Sequence, residues 1–353
     1  AERVKARGFK EVRTHKLKLA ANFDAGDPAL VRGFDGMGLG TLQGQASAEA
    51  MWNTTALNVA VGARTRAGSD RQTLMLDGSY IAQKLGPVVV YAGEQTHWWG
   101  PGWISALSLS NNARPMPQIG ISRVRTEAFE SPWLSWIGPW QAEFFVGLLD
   151  GPRLAENTAY TGFRFAFSPL PHLEIGFART TELCGKGHTC SPVKDYFKIV
   201  NDEKHTNNTN DQGNIDIRYS YAFQDVAFET YVQFMNEDTN PIQHSGSSHL
   251  YGASAWMPVT GGTGRLTVEY ADTVPTYDLW GSGTMPGFSY NNSGYPDGMR
   301  YRGRSLGFSL DSDSRLLSVQ ASYVRDAGDS YALTFHHAEI ADAATTHAGS
   351  TWR

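Results

Sequence analysis

"NIDIRYSYAF", Asn214 to Phe223, alternates without a break: Ile215, Ile217, Tyr219, Tyr221 and Phe223 fall on one side of an extended chain, and Asp216, Arg218, Ser220 and Ala222 on the other. Successive side chains of a strand point to opposite faces, so a period of two predicts a strand with one apolar and one polar face. In "QDVAFETYVQF" (Gln224–Phe234), Val226, Phe228, Val232 and Phe234 oppose Ala227, Glu229 and Gln233. In "GRLTVEYAD" (Gly264–Asp272), Leu266, Val268 and Tyr270 oppose Arg265, Thr267 and Glu269. "LNVAVGAR", "GFRFAFSP", "HLEIGFAR" and "RLLSVQASY" repeat the pattern, and helical periodicity is scarce. The chain reads as all-β.

Such alternation suits a soluble sandwich, with its apolar faces turned inward, or a membrane barrel, with its apolar faces turned to lipid. Bulk composition alone favours the first: 353 residues, 18% charged, a net charge of -5 and a mean hydropathy of -0.36. No apolar run approaches the roughly 18 residues of a membrane helix, so a helical membrane protein is excluded. Three features favour the barrel. The polar faces mix Gly, Ala, Ser, Arg and Glu, as a crowded lumen requires. Aromatics gather near strand ends, as in Tyr219, Tyr221 and Phe223 and in Trp133, Trp136 and Trp140, which suits interfacial girdles.

The third feature is the sorting of connections. About 16 strands between Val12 and Ile340 are joined by links that alternate in length. Long ones are read at Phe23–Gly38, Trp98–Pro117, Asp150–Thr158, Cys184–Gly213, Glu237–Ser247 and Asp272–Gly298, and tight ones at Lys84–Pro87, Ser168–His172, Phe223–Gln224, Pro258–Gly264 and Asp311–Ser314. "RAGSDR" is short for the long side and "FESPWLSWIGP" long for the short side. Outer-membrane barrels sort their loops this way, with long outer loops and short periplasmic turns. The expectation is therefore a transmembrane antiparallel β-barrel of the outer-membrane type.

Motifs for chemistry are few. GxSxG, HExxH, a P-loop and a GxGxxG opening a helix are all missing, no catalytic residue is assigned, and neither a cofactor nor a nucleic-acid partner is expected. Cys184 and Cys190, in "LCGKGHTCSP", suit a local disulfide in an oxidising compartment, with two free thiols as the alternative. With His188 they would leave a zinc site one ligand short, so no metal site is assigned. His336 and His337 are adjacent on a strand and so face opposite ways. Arg300, Arg302 and Arg304, in "MRYRGR", alternate onto one side of an expected strand, where they would meet an anionic sugar, lipid headgroups or luminal acids.

Two loops combine aromatics with Asn, Ser and Gly: "EQTHWWGPGWISALSLSNNARPMPQIGISR" (Glu94–Arg123) and "TYDLWGSGTMPGFSYNNSGYPDGM" (Thr276–Met299). An aromatic face packs on the C–H face of a pyranose while Asn and Arg reach its hydroxyl and carboxylate groups. The candidate carbohydrate-binding residues are Trp98, Trp99, Trp103, Asn111, Asn112, Arg114, Tyr277, Trp280 and Tyr290. The alternative is that these loops fold inward and plug the barrel.

"WWGPG" (Trp98–Gly102), "ARPM" (Ala113–Met116), "WLSWIGPWQ" (Trp133–Gln141) and "GFRFAFSPLPHLEIGFAR" (Gly162–Arg179), in this order and spacing, resemble the Wzi family of capsule-assembly outer-membrane proteins. The resemblance implies an 18-stranded barrel preceded by a periplasmic helical bundle, and a lectin that holds capsular polysaccharide on the cell surface. It makes Trp98, Trp99, Gly100, Pro101, Gly102, Arg114 and Pro115 signature positions. Residues 1–11 then read as a remnant of the periplasmic helical segment and 12–353 as a single barrel domain, with further parts of the architecture expected beyond both ends.

The leading functional expectation is a non-enzymatic outer-membrane lectin whose loops face outside the cell and anchor capsular or other exopolysaccharide, with outer-membrane lipids around its wall. A closed barrel can stand as a monomer. The second is a porin or polysaccharide-export channel in which luminal Arg64, Arg164, Arg218 and Arg265 select anions. An outer-membrane hydrolase would require a Ser/His/acid cluster at one rim, and only scattered candidates occur.

Overall fold

The computed structural model describes residues 45–51, 54–63, 74–190, 209–237, 246–277 and 283–340 in full, and the backbone alone of 12–21, 42–44, 52 and 64. The strands are β1 (Val12–Ala21), β2 (Leu42–Trp52), β3 (Thr55–Arg64), β4 (Leu74–Met75), β5 (Tyr80–Leu85), β6 (Val88–Glu94), β7 (Pro117–Arg123), β8 (Trp140–Leu149) and β9 (Thr158–Leu170). They continue as β10 (Leu173–Leu183), β11 (Thr209–Phe223), β12 (Val226–Glu237), β13 (Ser247–Val259), β14 (Gly262–Thr276), β15 (Arg300–Tyr301), β16 (Arg304–Ser305), β17 (Arg315–Arg325) and β18 (Ser330–Glu339). Among the described residues a 16-stranded antiparallel sheet runs in chain order from β1 to β18, with β4 added to β3; β15 and β16 make a separate hairpin.

The sheet buries the polar face of its strands. On β11, Ile217, Tyr219, Tyr221 and Phe223 are exposed while Asn214 and Asp216 are buried. On β14, Leu266, Val268 and Tyr270 are exposed while Thr267, Glu269 and Ala271 are at most 2% exposed. A soluble sandwich would show the reverse. An apolar outer face around a polar interior is the arrangement of an outer-membrane barrel, whose cross-strand pairing leaves no backbone group to be solvated by lipid.

The connections fall into two sets. At one end lie Gly86–Pro87, Pro171–His172, Gln224–Asp225, Thr260–Gly261 and Asp326–Asp329, and at the other Gln95–Met116, Asp150–Asn157 and Tyr277–Ser314. One expected turn is corrected. Asp311–Ser314 does not join two barrel strands but ends the long connection from Tyr277, and the tight turn of that region is Asp326–Asp329. "MRYRGRSLGF" imitates a strand because its alternation serves an interior hairpin that reverses at Arg302 and Gly303, both at positive φ. Arg300, Arg302 and Arg304 therefore do not share one side of a strand. The exceptional long segment at the short-turn end holds a 3₁₀ turn at Ser135–Ile137 and presents Trp133 and Trp136 to the surroundings, with Trp136 edge-on to Phe167 at 6.5 Å. These aromatics suit an interfacial girdle.

The apolar core sits inside the barrel. Tyr91, Phe145, Tyr160, Tyr231, Met235 and Leu250 from the wall meet Trp99, Leu107, Leu109, Tyr290, Met299, Leu306 and Phe308 from the long connections. Glycines on the wall make room for these rings. Gly252 is in register with Tyr231, and a Cβ there would run into its ring; Gly162 is in register with Phe145, and a Cβ there would meet Phe145 and Trp99. A strand glycine so placed marks a close approach.

Candidate functional site

Two long connections enter the lumen and form a plug. The first, Gln95–Met116, folds back on itself through an isolated bridge between Trp99 and Leu109, with Trp99 N–H donating to the Leu109 carbonyl at 2.9 Å. Inward-facing polar side chains of the wall hold it. Gln233 on β12 donates through Nε2 to the Trp99 carbonyl and accepts from Leu107 N–H, both at 2.9 Å. That amide lies against Gly100, whose φ of 154° and lack of Cβ let the contact form. On β14, Glu269 Oε2 accepts from the N–H groups of Trp103 and Ile104 at 3.0 and 3.2 Å and from Tyr231 Oη–H at 2.8 Å. The "WWGPG" signature is thus the seat of the loop on the barrel wall.

The second connection, Tyr277–Ser314, is held by Glu237, whose Oε1 accepts from Tyr290 N–H at 2.5 Å and from Gln212 Nε2 at 2.6 Å. Arg300 makes a bidentate pair with Asp311 at 2.6 and 2.7 Å, and both side chains are almost wholly buried. The two connections join at Ser110, whose N–H donates to the Leu306 carbonyl at 2.9 Å and whose hydroxyl donates to that of Gly307 at 2.5 Å. Asn112 Nδ2 adds a bond to the Ser305 carbonyl at 2.9 Å.

The sequence-derived candidates separate by depth. Trp99, Asn112, Arg114 and Tyr290 are buried members of the plug. Arg114 pairs with Asp77 in the β4–β5 link, and Trp99 packs with His97 and Phe145. Burial pushes the Tyr290 phenol well above its ordinary pKa, so it serves as a hydrogen-bond donor. Trp98 is half-buried and donates through its indole N–H to the Gly102 carbonyl at 2.8 Å; Asn111 is also half-buried. Tyr277 is exposed at the long-loop end, whereas Trp103 is exposed inside the lumen toward the short turns. Trp280 and the side chain of Arg64 lie outside the described residues. Arg164, Arg218 and Arg265 point into the lumen: Arg164 pairs with Asp216, Arg218 donates to the Pro101 carbonyl at 2.9 Å, and Arg265 donates to Gln320 at 2.8 Å. Gln233, Glu237 and Glu269, which seat the plug, carry no mark in the sequence beyond standing on the polar side of a strand.

The long-loop surface is tied together as well. Leu154 N–H donates to Asp297 at 2.6 Å, and His188 stacks on Tyr295 at 4.1 Å. A disulfide joins Cys184 to Cys190 across a Cα–Cα distance of 4.5 Å. Asp150 bonds both Tyr301 and Arg302, so the Asp150–Asn157 connection rests on the hairpin of the plug. Among the described residues, these contacts tie the Asp150–Asn157 connection and the disulfide loop to the plug.

Comparison with known proteins bears on this arrangement. The family model for capsule assembly protein Wzi matches residues 37–350. An uncharacterized 55.8 kDa protein in the cps region of Klebsiella pneumoniae is 28% identical over 202 residues, covering 55% of this chain and 39% of that protein. The chain thus spans about two fifths of that relative's length. Among solved structures, Wzi of Escherichia coli, described as a carbohydrate-binding β-barrel involved in group 1 capsule assembly, superposes with a TM-score of 0.75 at 20% identity, over 96% of this chain and 73% of the other.

Proposed function

Because the chain belongs to the Wzi family of capsule assembly proteins, we propose that this outer-membrane barrel is a non-enzymatic lectin that anchors capsular polysaccharide on its long-loop face, outside the cell. The observation that carries the reading is the plug. Two connections meet inside the lumen through Ser110 and Asn112, so the described parts of the long-loop end rest on a fixed plug. A fixed support suits a polymer ligand, because sugar contacts made on it cost little ordering and many weak contacts along one chain raise avidity by about 10² to 10⁴. Exposed Tyr277, with His188 beside the disulfide, supplies aromatic faces there, and Lys186 and Glu156 supply charge.

The test is retention of purified capsular polymer by the detergent-solubilised protein, together with capsule attachment on cells that lack it. The reading predicts retention in the first assay and shed capsule in the second. Failure of both would overturn it. The channel reading draws on luminal Arg164, Arg218 and Arg265, but each is engaged by a wall or plug partner.

A further inference from the structure

We propose a lipid site on the outer wall, where a groove between the β4–β5 link and β8 takes one acyl chain of an outer-leaflet glycolipid and Glu94 accepts from an amide or hydroxyl at the root of that chain. This goes beyond the polysaccharide reading and does not depend on it.

The groove follows from where the first plug connection leaves the wall. β6 and β7 stop at Glu94 and Pro117, and Gln95–Met116 turns into the lumen there, while β8 runs on to Leu149 in register with Thr158 of β9. The step left on the outside has a volume of about 580 Å³, within the range of small-molecule sites. Leu76, Pro117, Ile119, Val146 and Leu148 line it; Gly93 and Gly147 bring bare backbone, and Ala159 only a methyl group. Exposed Ile119, Val146 and Leu148 alternate with buried Gln118, Phe145 and Leu149, so the groove faces lipid and not the lumen. The strands from β6 to β9 are each hydrogen-bonded on both sides, so it does not border an end of the sheet. Long loops face outside the cell, which places the groove in the outer leaflet.

Apolar lining alone does not select a ligand, because lipid tails are as apolar as the wall. Glu94 does. Other acids that face outward near this rim are matched by arginines: Asp211 by Arg179, and Asp272 by Arg315, which also reaches Glu339. Glu94 lines the groove, and its carboxylate has no hydrogen-bond or ion-pair partner among the described residues. Arg114 and Arg302, which attract it electrostatically, are bound to Asp77 and Asp150. An ionisable group at this level is costly unless a partner answers it. A carboxylate only accepts, so the ligand must bring donors where its chain begins. Glycerophospholipids carry ester carbonyls and a phosphate there, all of them acceptors. A glycolipid built on an N-acylated amino sugar carries an amide N–H and hydroxyls there, with its acyl chain left to lie in the groove.

The test is native mass spectrometry of the detergent-solubilised full chain titrated with monophosphoryl lipid A, beside phosphatidylethanolamine of matched chain length. One lipid A per barrel should survive removal of the detergent, and phosphatidylethanolamine should bind at least ten-fold more weakly. Ala159→Phe, which fills the groove, and Glu94→Leu, which removes the acceptor, should each weaken lipid A at least ten-fold, with folding checked by heat-modifiable gel mobility. Val268→Phe, on the lipid-facing side of β14 and away from the groove, should bind as the parent does. No one-to-one complex, equal retention of the two lipids, undiminished binding in whichever groove variant folds, or an equal loss in Val268→Phe would each overturn the proposal. Failure of polymer retention would leave this readout untouched, because lipid A carries no capsular sugar.

Discussion

The phenol of Tyr290 donates to the carbonyl of Leu107 at 2.6 Å and accepts from the Phe308 N–H at 3.0 Å, so one side chain joins both connections of the plug. Tyr290→Phe would leave two buried backbone groups without partners, at about 1–3 kcal/mol each. The expected result is a loss of about 2–4 kcal/mol in chemical unfolding, with the far-ultraviolet strand signal unchanged at low denaturant. Because burial raises the folded phenol's pKa above the unfolded value of about 10, its contribution is fully present below that pH and declines as pH rises above it. An unfolding series from neutral to alkaline pH checks the sign.

Gly162 faces Phe145 across the β8–β9 ladder and lies under Trp99. Gly162→Val should cost about 1–3 kcal/mol by overpacking. Adding Phe145→Ala should return part of that loss, because the valine then fills space the ring has left. A double-mutant cycle in thermal unfolding measures the coupling, and strict additivity would contradict the packing described.

Arg300 and Asp311 form a buried ion pair within the plug. Removing one partner strands the other charge, so Arg300→Met should cost about 3–5 kcal/mol. The double variant Arg300→Met with Asp311→Leu should recover part of it, since the desolvation cost disappears with both charges while the Tyr290 and Asp297 carbonyls and Asn291 Oδ1 still lose the donor that Arg300 gave them. Stabilities of the four proteins in one denaturant series decide the matter.

Conductance tests the plug as a barrier. The intact barrel should pass little or no steady current in a planar bilayer, whereas deletion of residues 101–112 should give stable ohmic conductance. A steady current through the intact protein would favour the channel reading over the lectin.

The wall was legible in the sequence because two environments enforce alternation on it. Lipid selects Ile217, Val268 and Phe228 outward, and the lumen selects Asp216, Glu269 and Glu229 inward. The plug was legible only as an alternative, since a loop folded inward and a loop standing outward use the same Trp, Asn and Gly. What separates them is a partner distant in the chain. Gln233, 134 residues from Trp99, decides the matter, and as a lone glutamine on a polar face it carries no local signal. "MRYRGRSLGF" misled for the opposite reason. Its alternation is real, but it serves a hairpin of the plug, where Arg300, Tyr301 and Ser305 are all buried and the faces of a barrel strand do not apply.

The seat of the plug on the wall also sets an order of assembly. Trp103 bonds to Glu229 and Glu269, 126 and 166 residues further along, and Leu107 bonds to Tyr290, 183 residues further along. Contacts of such span form slowly, because the entropy of closing the intervening chain must be met first. The Gln95–Met116 segment therefore waits, with its apolar residues uncovered, until β14 and the connection after it have arrived. Until then it is exposed to chaperones and proteases, and mutations that weaken its seat should show themselves first as low yield during insertion.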